Sequence, residues 1–403
     1  MIKQTTINKC TACTSCVIDC PVTAATREFK GPKLLGPGLE RFRLFEQDVE
    51  ASIDYCTNCK NCDITCPSDV GVSTLNMLAK NEFYKRKGHR LRDWILSHGE
   101  LFARLSSPVA AIANWGMAFP LTRMVLSALG IADRPLPAYH KTDFYQQFHA
   151  LRQQPYEQKV VFYPGCYIGF NAPQVGMDLV HLLQANGYEV IVPDVVCCGT
   201  PVVSNGYMDE AREKAQHNIR ALAVWAQKGY PILTCCTSCG LMLKQEYLEL
   251  YDIEGSQQVA EQHYDAGEFL VELKDKGQLK TDFKAIEGSY LYHAPCHLRA
   301  QGIGLPGLEL LQNIDGMKIA EIDAGCCGIA GSYGFKKEKY DISLAIGKNL
   351  FQAIKACPGA TVVTECGTCQ LQIGHVTKAA TIHPISLLYA AWESNKQASS
   401  EAE

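Results

Sequence analysis

Two runs near the N-terminus constrain this 403-residue chain more than any other feature: CTACTSCVIDCP, from Cys10 to Pro21, and CTNCKNCDITCP, from Cys56 to Pro67. Each has the form C-x2-C-x2-C-x3-C-P. Three thiols spaced two residues apart wrap one corner of a [4Fe–4S] cubane, while the fourth points away toward a second one. The expected ligand sets are therefore crossed: Cys10, Cys13 and Cys16 with Cys66, and Cys56, Cys59 and Cys62 with Cys20. Pro21 and Pro67 end each local turn, because proline fixes its own φ and donates no backbone hydrogen bond. Zinc takes four ligands, usually as two separated pairs, and neither run has that form.

The chain carries 20 cysteines, and its start, MIKQTTINKC, shows no basic stretch followed by an apolar run. A chain kept on the cytoplasmic side is expected, where clustered cysteines bind metal more often than they form disulfides. Hydrophobic content of 47% and charged content of 20% belong to a globular protein of two or three domains. A net charge of −4 gives no footprint for nucleic acid.

Thirty-five residues separate Cys20 from Cys56, and they include GPKLLGPGLERFR, where Gly and Pro punctuate turns. Arg41 and Arg43 either offset cluster charge or are simply solvated. A helix is expected from Ser73 as N-cap, with Leu75, Leu78, Ala79 and Phe83 as its apolar stripe. Residues 1–90 thus read as a helical two-cluster ferredoxin domain rather than a small βαβ one.

Lys80, Lys85, Arg86, Lys87, Arg90 and Arg92 form a basic run, followed at once by an apolar stretch with Trp94, Leu101, Phe102, Leu105, Trp115, Phe119, Met124 and Val125. Its longest uncharged interval, Leu105 to Thr122, is 18 residues, but it contains Pro108, Pro120 and Asn114. Such a stretch fits an interfacial segment better than a span. Contact with a membrane surface and packing against protein or another subunit remain equally open for residues 91–133. Residues 134–158 are polar and read as a linker.

The other cysteines repeat. Cys166, Cys197, Cys198, Cys236 and Cys239 recur as Cys296, Cys326, Cys327, Cys366 and Cys369, at offsets of 130, 129, 129, 130 and 130 residues. CCGTPVVSNGY answers CCGIAGSYGF, and CTSCGLML answers CGTCQLQI. Each copy alternates apolar runs with helical patterns, which predicts a parallel sheet covered by helices. Strands are expected at KVVFYP, EVIVP and PILT, and again at SYLYH, KIAEI and TVVT. Helices are expected around 175–186, 209–227 and 340–356. The fold class is α+β and multidomain: the ferredoxin domain, then two duplicated α/β CCG domains at 159–288 and 289–395, and a disordered tail at 396–403.

Each cysteine group follows a strand, so the five thiols of a copy converge at the carboxyl edge of its sheet, where open α/β sheets bind ligands. Thiolates suit zinc and iron–sulfur clusters alike. Cys235 and Cys357 read as buried thiols rather than ligands, and His293, His297 and His383 receive no role. GIGLPG, from Gly302 to Gly307, matches G-x-G-x-x-G by chance, since no strand precedes it. No flavin, NAD or phosphate-loop signature is present.

A twin [4Fe–4S] domain followed by two CCG repeats resembles the iron–sulfur subunits of the heterodisulfide reductase, glycolate and lactate oxidase, and anaerobic glycerol-3-phosphate dehydrogenase families. The likeness is strongest to the C subunit of the last, through GPKLLGPGLERFR, CPSDV, LRDWILSH, CCGIAGSYGFKKEKY and TIHPISLL. The resemblance implies an electron-transfer and membrane-attachment subunit, peripheral on the cytoplasmic face of the inner membrane. It implies a flavoprotein catalytic subunit and a second flavin-containing subunit as partners, and menaquinone as acceptor. It also implies that the CCG sets hold one or two further centres, of the non-cubane [4Fe–4S] kind. A glycolate or lactate donor, or heterodisulfide chemistry, stays open as an alternative.

Overall fold

In the computed structural model the described residues are 4–40 and 50–400, so Arg41 and Arg43 lie outside them. The N-terminal part is helical, with no strand among its described residues. Short helices Ser15–Ile18 and Asn61–Ile64 sit at matching positions of the two cysteine motifs. Before them, Ala12 and Thr14 (φ 61° and 69°) match Asn58 and Lys60 (φ 54° and 65°). Non-glycine residues rarely adopt that left-handed conformation, and here it curls each motif so that three thiols face one cavity. The long helix runs Val72–Lys87, with Leu75, Ala79 and Phe83 buried as expected. Ser73 is not its N-cap. It lies inside the first turn, where its N–H donates to Asp63 Oδ1 at 2.7 Å, so Asp63 caps the helix from across the motif.

Each repeat builds a four-stranded parallel sheet. The first has strands β1 (Gln158–Phe162), β2 (Tyr188–Ile191), β3 (Ile232–Thr234) and β4 (His263–Asp265), in the order β2-β1-β3-β4. The second has β5 (Gly288–Tyr292), β6 (Met317–Glu321), β7 (Thr361–Val363) and β8 (Thr381–Ile382), in the order β6-β5-β7-β8. The register repeats too: Val161 pairs with Ile232 as Leu291 pairs with Val362. The expected helices are Pro173–Ala185 and Met208–Ala226 in the first copy. In the second, the single helix expected over 340–356 is two, Tyr340–Ile346 and Lys348–Lys355. They break at Gly347, where a Cβ would lie 2.6 Å from the carbonyl oxygen of Cys327. GIGLPG follows the helix Cys296–Arg299, not a strand. The last helix, Pro384–Ser400, continues into the expected tail, and 401–403 lie outside the described residues.

The parts share cores rather than hanging as beads. Val22, Phe29, Leu35, Ile53, Met77 and Tyr84 pack with Val202, Ile219, Met242 and Tyr247 of the first repeat. Val160, Leu179 and Leu270 of the first repeat pack with Leu308, Leu311, Ile385 and Leu388 of the second. The 134–158 stretch does not run free. Phe144 is buried edge-on against Phe162, and Arg134 lies over the Phe335 ring and donates to the Gly334 carbonyl at 3.1 Å.

Two members of the basic run also turn inward. Lys80 Nζ donates to the Cys56 carbonyl at 2.8 Å, and the Arg92 guanidinium forks onto Glu338. Lys85, Arg86, Lys87 and Arg90 remain exposed. Beyond them come helices Leu91–Ser97, Gly99–Ser106, Ala110–Ala118 and Pro120–Ala128. The chain bends by 75° between Gly99–Ala118 and Pro120–Ala128. Among the described residues, no single helix is long and apolar enough to cross a membrane. This segment nevertheless holds twelve of the sixteen exposed large apolar side chains found among those residues, including Leu105, Ile112, Trp115 and Met124.

Candidate metal centres

The fold brings the first three cysteines of each motif to one cavity with the fourth of the other motif. Cys10, Cys13, Cys16 and Cys66 line one cavity of about 320 Å³ with Lys33, Pro37 and Val72. Cys20, Cys56, Cys59 and Cys62 line another of about 300 Å³ with Val22, Phe29, Asn58 and Ser73. Among the described residues no carboxylate lines either cavity, so each set offers four soft thiols, the chemistry a cubane requires. Their crowding shows in the electrostatics. Burial, then Cys66, Cys10 and Cys13, push the Cys16 thiol up to about 11. Burial, then Asp63, Cys59, Cys56 and Cys20, raise Cys62. Without iron to neutralise them, such thiols do not all ionise together.

The two cavities differ in access. Cys13 is exposed at the first. At the second all four thiols are buried, and Cys56 also faces a small pocket lined by Thr57, Lys80 and by Tyr333, Lys336 and Lys339 of the second repeat. Lys339 Nζ lies 2.7 Å from Asp54 Oδ2, and Lys336 Nζ lies 2.8 Å from Asp93 Oδ1. On the opposite side, Asn58 donates to Glu246 at 2.7 Å, and the buried Lys60 ammonium lies 2.9 Å from Glu249 and 3.4 Å from Glu246. Burial works against that charge, but Glu246, Glu249 and Asp63 outweigh it and hold Lys60 above its ordinary range.

In each repeat the thiols gather at the carboxyl edge of the sheet. Cys166 follows β1, Cys197 and Cys198 follow β2, and Cys236 and Cys239 follow β3. Cys166 and Cys197 Sγ lie 3.6 Å apart, and Cys198 and Cys239 Sγ 3.5 Å apart. In the second repeat Cys327 and Cys369 Sγ approach to 3.1 Å, and Gly328 N–H donates to Cys326 Sγ at 3.4 Å. Gly199 and Gly328 both take φ near +85° (90° and 83°) to turn the chain back after the cysteine pair. The two sets even titrate alike. Cys197 and Cys326 are held below the usual thiol range by neighbouring thiols donating to them. Cys236 and Cys366 are lowered by donation from Cys239 and Cys369, Cys366 to about 6.

The sets do not stay apart. Both line a single cleft of about 960 Å³, reached by Cys166, Cys198, Cys236 and Cys239 from one repeat and Cys296, Cys326, Cys327, Cys366 and Cys369 from the other. Tyr167 bridges it, its hydroxyl donating to the Gly367 carbonyl at 3.1 Å. Cys59 of the second ferredoxin cavity is close enough to Cys326 and Cys296 for their charges to act on one another. Cysteine sets therefore succeed one another through the molecule from Cys13 to this cleft. At its first-repeat end the apolar segment arrives: Glu100 Oε2 accepts from Cys197 N–H at 2.9 Å.

Cys235 is buried outside these sets, as expected, but Cys357 is exposed. It follows the helix Lys348–Lys355 in a surface turn. His383 is engaged at both nitrogens, facing the Cys235 carbonyl at 3.0 Å and accepting from Ile385 N–H at 3.1 Å. His297 is likewise engaged, with Ser238 Oγ at 2.8 Å and the Asn58 carbonyl at 2.9 Å. His293 is different: it is buried beside Cys327 and Cys369 with neither nitrogen partnered.

A helical module with two crossed cysteine quartets, docked on paired α/β domains whose cysteines share a cleft, defines an iron–sulfur cluster-binding protein. The 4Fe-4S dicluster domain model matches residues 6–70, and the Cysteine-rich domain model matches residues 160–244 and 290–374. The C subunit of anaerobic glycerol-3-phosphate dehydrogenase from Escherichia coli is 36% identical over 398 residues, 97% of this chain and 100% of that protein. The chain belongs to the family of that C subunit. More partial matches are the B subunit of fumarate reductase (CoM/CoB) from Methanothermobacter marburgensis (34% identical; 53% of this chain, 41% of that protein) and lactate utilization protein A 2 of Bacillus cereus (28% identical; 54% of this chain, 89% of that protein).

Proposed function

We propose that this chain is the electron-transfer subunit of an anaerobic glycerol-3-phosphate dehydrogenase, receiving electrons from a flavoprotein catalytic subunit and delivering them to membrane menaquinone. Iron–sulfur clusters bound at its cysteines would supply one-electron carriage. Cys10, Cys13, Cys16 and Cys66 would hold the first cubane, and Cys20, Cys56, Cys59 and Cys62 the second. The repeat thiols would hold one or two further centres, of the non-cubane [4Fe–4S] kind. A second flavin-containing subunit would complete the complex.

The observation that carries this reading is the unbroken succession of cysteine sets between an exposed face and an apolar segment. The Cys13 face would be the flavoprotein side, in a domain that also exposes Ile18, Leu34 and Ile64. The other end meets the helix Gly99–Ser106. That segment's exposed Trp and Leu side chains and the outward Lys85, Arg86, Lys87 and Arg90 support peripheral attachment to an anionic inner face. With no flavin or nucleotide signature in the chain, hydride abstraction is left to the partner.

The test is an anaerobic, mild-detergent purification from native membranes. The co-eluting flavoprotein is assayed for quinone reduction with glycerol 3-phosphate, glycolate and lactate in parallel. Turnover with glycerol 3-phosphate alone supports the reading, whereas turnover with a hydroxy acid moves the chain to the glycolate or lactate group. The shared cleft favours one second reading, reduction of a disulfide held between the two repeats. Disulfide reductase activity of the isolated chain, abolished by Cys198→Ala, would establish it.

A further inference from the structure

We propose that His293 is a nitrogen ligand of the metal centre in the second repeat, making that centre a mixed nitrogen–sulfur site opposite an all-sulfur one. The inference rests on the reading that the repeat cysteines hold metal.

A ring nitrogen of His293, Cys327 Sγ and Cys369 Sγ all lie within 4.8 Å of one another, and all three side chains are buried. His293 is 1% exposed, and neither Nδ1 nor Nε2 has a hydrogen-bond partner. Among the described residues it is the one histidine with both nitrogens in that condition. Leaving a buried polar atom unsatisfied costs about 1–3 kcal/mol, so the two orphaned nitrogens call for an occupant that uses one of them. Imidazole and thiolate together form a usual donor set for zinc and for iron.

The first repeat supplies the control. Position 293 corresponds to Tyr163, at the end of the equivalent strand. Both backbones are anchored alike, Tyr163 N–H to Leu233 O and His293 N–H to Val363 O, each at 2.9 Å. The tyrosine is satisfied without metal: its hydroxyl donates to the Val196 carbonyl at 2.5 Å and receives Asn218 Nδ2 at 3.3 Å. The duplication therefore kept five cysteines in each copy but placed a metal-binding side chain among them in only one.

The experiment uses the full chain, purified anaerobically, as wild type and as His293→Ala, His293→Gln and His293→Cys. Iron and zinc are counted per chain, and the two ferredoxin cubanes serve as the internal reference for folding. The expected result is that Ala and Gln lose the metal of one repeat centre while the cubanes stay, and that Cys, which restores a ligand but not an imidazole, recovers it. With histidine labelled with nitrogen-15, pulsed EPR for an iron centre or X-ray absorption for zinc should show a directly bound nitrogen in the wild type and none in the Cys variant. Wild-type metal content in the Gln or Ala variant, or no bound nitrogen in the wild type, overturns the assignment. Wild-type protein carrying no metal beyond its two cubanes would instead remove the underlying reading, and the assignment with it.

Discussion

The imidazole of His297 spans the join between the two halves of the molecule: Nε2 lies 2.9 Å from the carbonyl oxygen of Asn58, and Nδ1 lies 2.8 Å from Ser238 Oγ. A carbonyl only accepts, so Nε2 carries the proton and Nδ1 receives the serine hydroxyl. One side chain thus ties the loop between Cys56 and Cys59 to the turn between Cys236 and Cys239, beside its own neighbour Cys296. His297→Ala should lower stability by about 1–2 kcal/mol and slow electron equilibration between the ferredoxin and repeat centres. Chemical denaturation and flash reduction check the two effects. Unchanged equilibration would mean that His297 acts only as a brace.

Lys60 makes a harsher test of the same junction. Removing it leaves Glu246 buried without its cation, and breaking a buried pair from one side costs about 3–5 kcal/mol. Lys60→Met should therefore be strongly destabilised, and Lys60→Met with Glu246→Gln should recover a large part of the loss. A double-mutant cycle measured by urea unfolding reads the coupling directly.

Asp265 predicts a pH dependence. Burial, above all, pushes its carboxyl up to about 7, and Oδ2 has no partner in the pocket it shares with Cys235, Glu365 and His383. The unfolded value is about 3.9, so the folded chain holds this proton more tightly. The stabilisation is complete below about pH 4 and is lost as pH rises through about 7. Asp265→Asn keeps the Oδ1 acceptor for Gly267 N–H at 2.8 Å and removes the titration. Wild type should lose roughly 1–3 kcal/mol more than this variant between pH 5.5 and 8. Glu365, raised mainly by burial to about 8, leaves a residual slope in both proteins.

Ile112 and Trp115 stand well clear of the fold, at 69% and 66% exposure, so changing them should not disturb folding. Ile112→Asp with Trp115→Asp should cut binding to anionic vesicles at least tenfold, with an unchanged melting temperature. Retained vesicle binding combined with loss of complex assembly would assign the segment to a subunit interface instead.

On the proposed relay, Cys13→Ala should remove one cubane and block transfer from flavin to quinone. The assembled complex should still oxidise its substrate with an artificial dye. Loss of dye-linked activity would place substrate chemistry on this chain.

The most chemical parts of the molecule were the most legible in sequence. The spacing of Cys10 to Cys20 and Cys56 to Cys66 constrains which thiols can face each other, and the cavities group them accordingly. The 130-residue offset revealed two sheets, although β4 and β8, at three and two residues, are too short to leave a periodic signal. What escaped was whatever depends on docking between copies. A duplication describes each unit alone, so it did not reveal that both cysteine sets open into one cleft. Lys80 and Arg92 looked like surface charge because their partners, the Cys56 carbonyl and Glu338, lie in other motifs or domains. The signal for His293 was available as a difference between the copies, a tyrosine exchanged for a histidine three residues before Cys296, but only its unpartnered burial gives that exchange meaning.

The pocket beside Cys56 bears on the order of biogenesis. Tyr333, Lys336 and Lys339, which share a small pocket with Cys56, come about 270 positions later than Cys62 in the growing chain. At about 5–20 residues per second, roughly a quarter of a minute to a minute separates emergence of Cys56 from that of these neighbours. On the proposed cluster assignment, iron and sulfide would reach Cys56 before these later neighbours have docked beside it. Cys13, exposed at the surface, would stay reachable after the whole chain has folded.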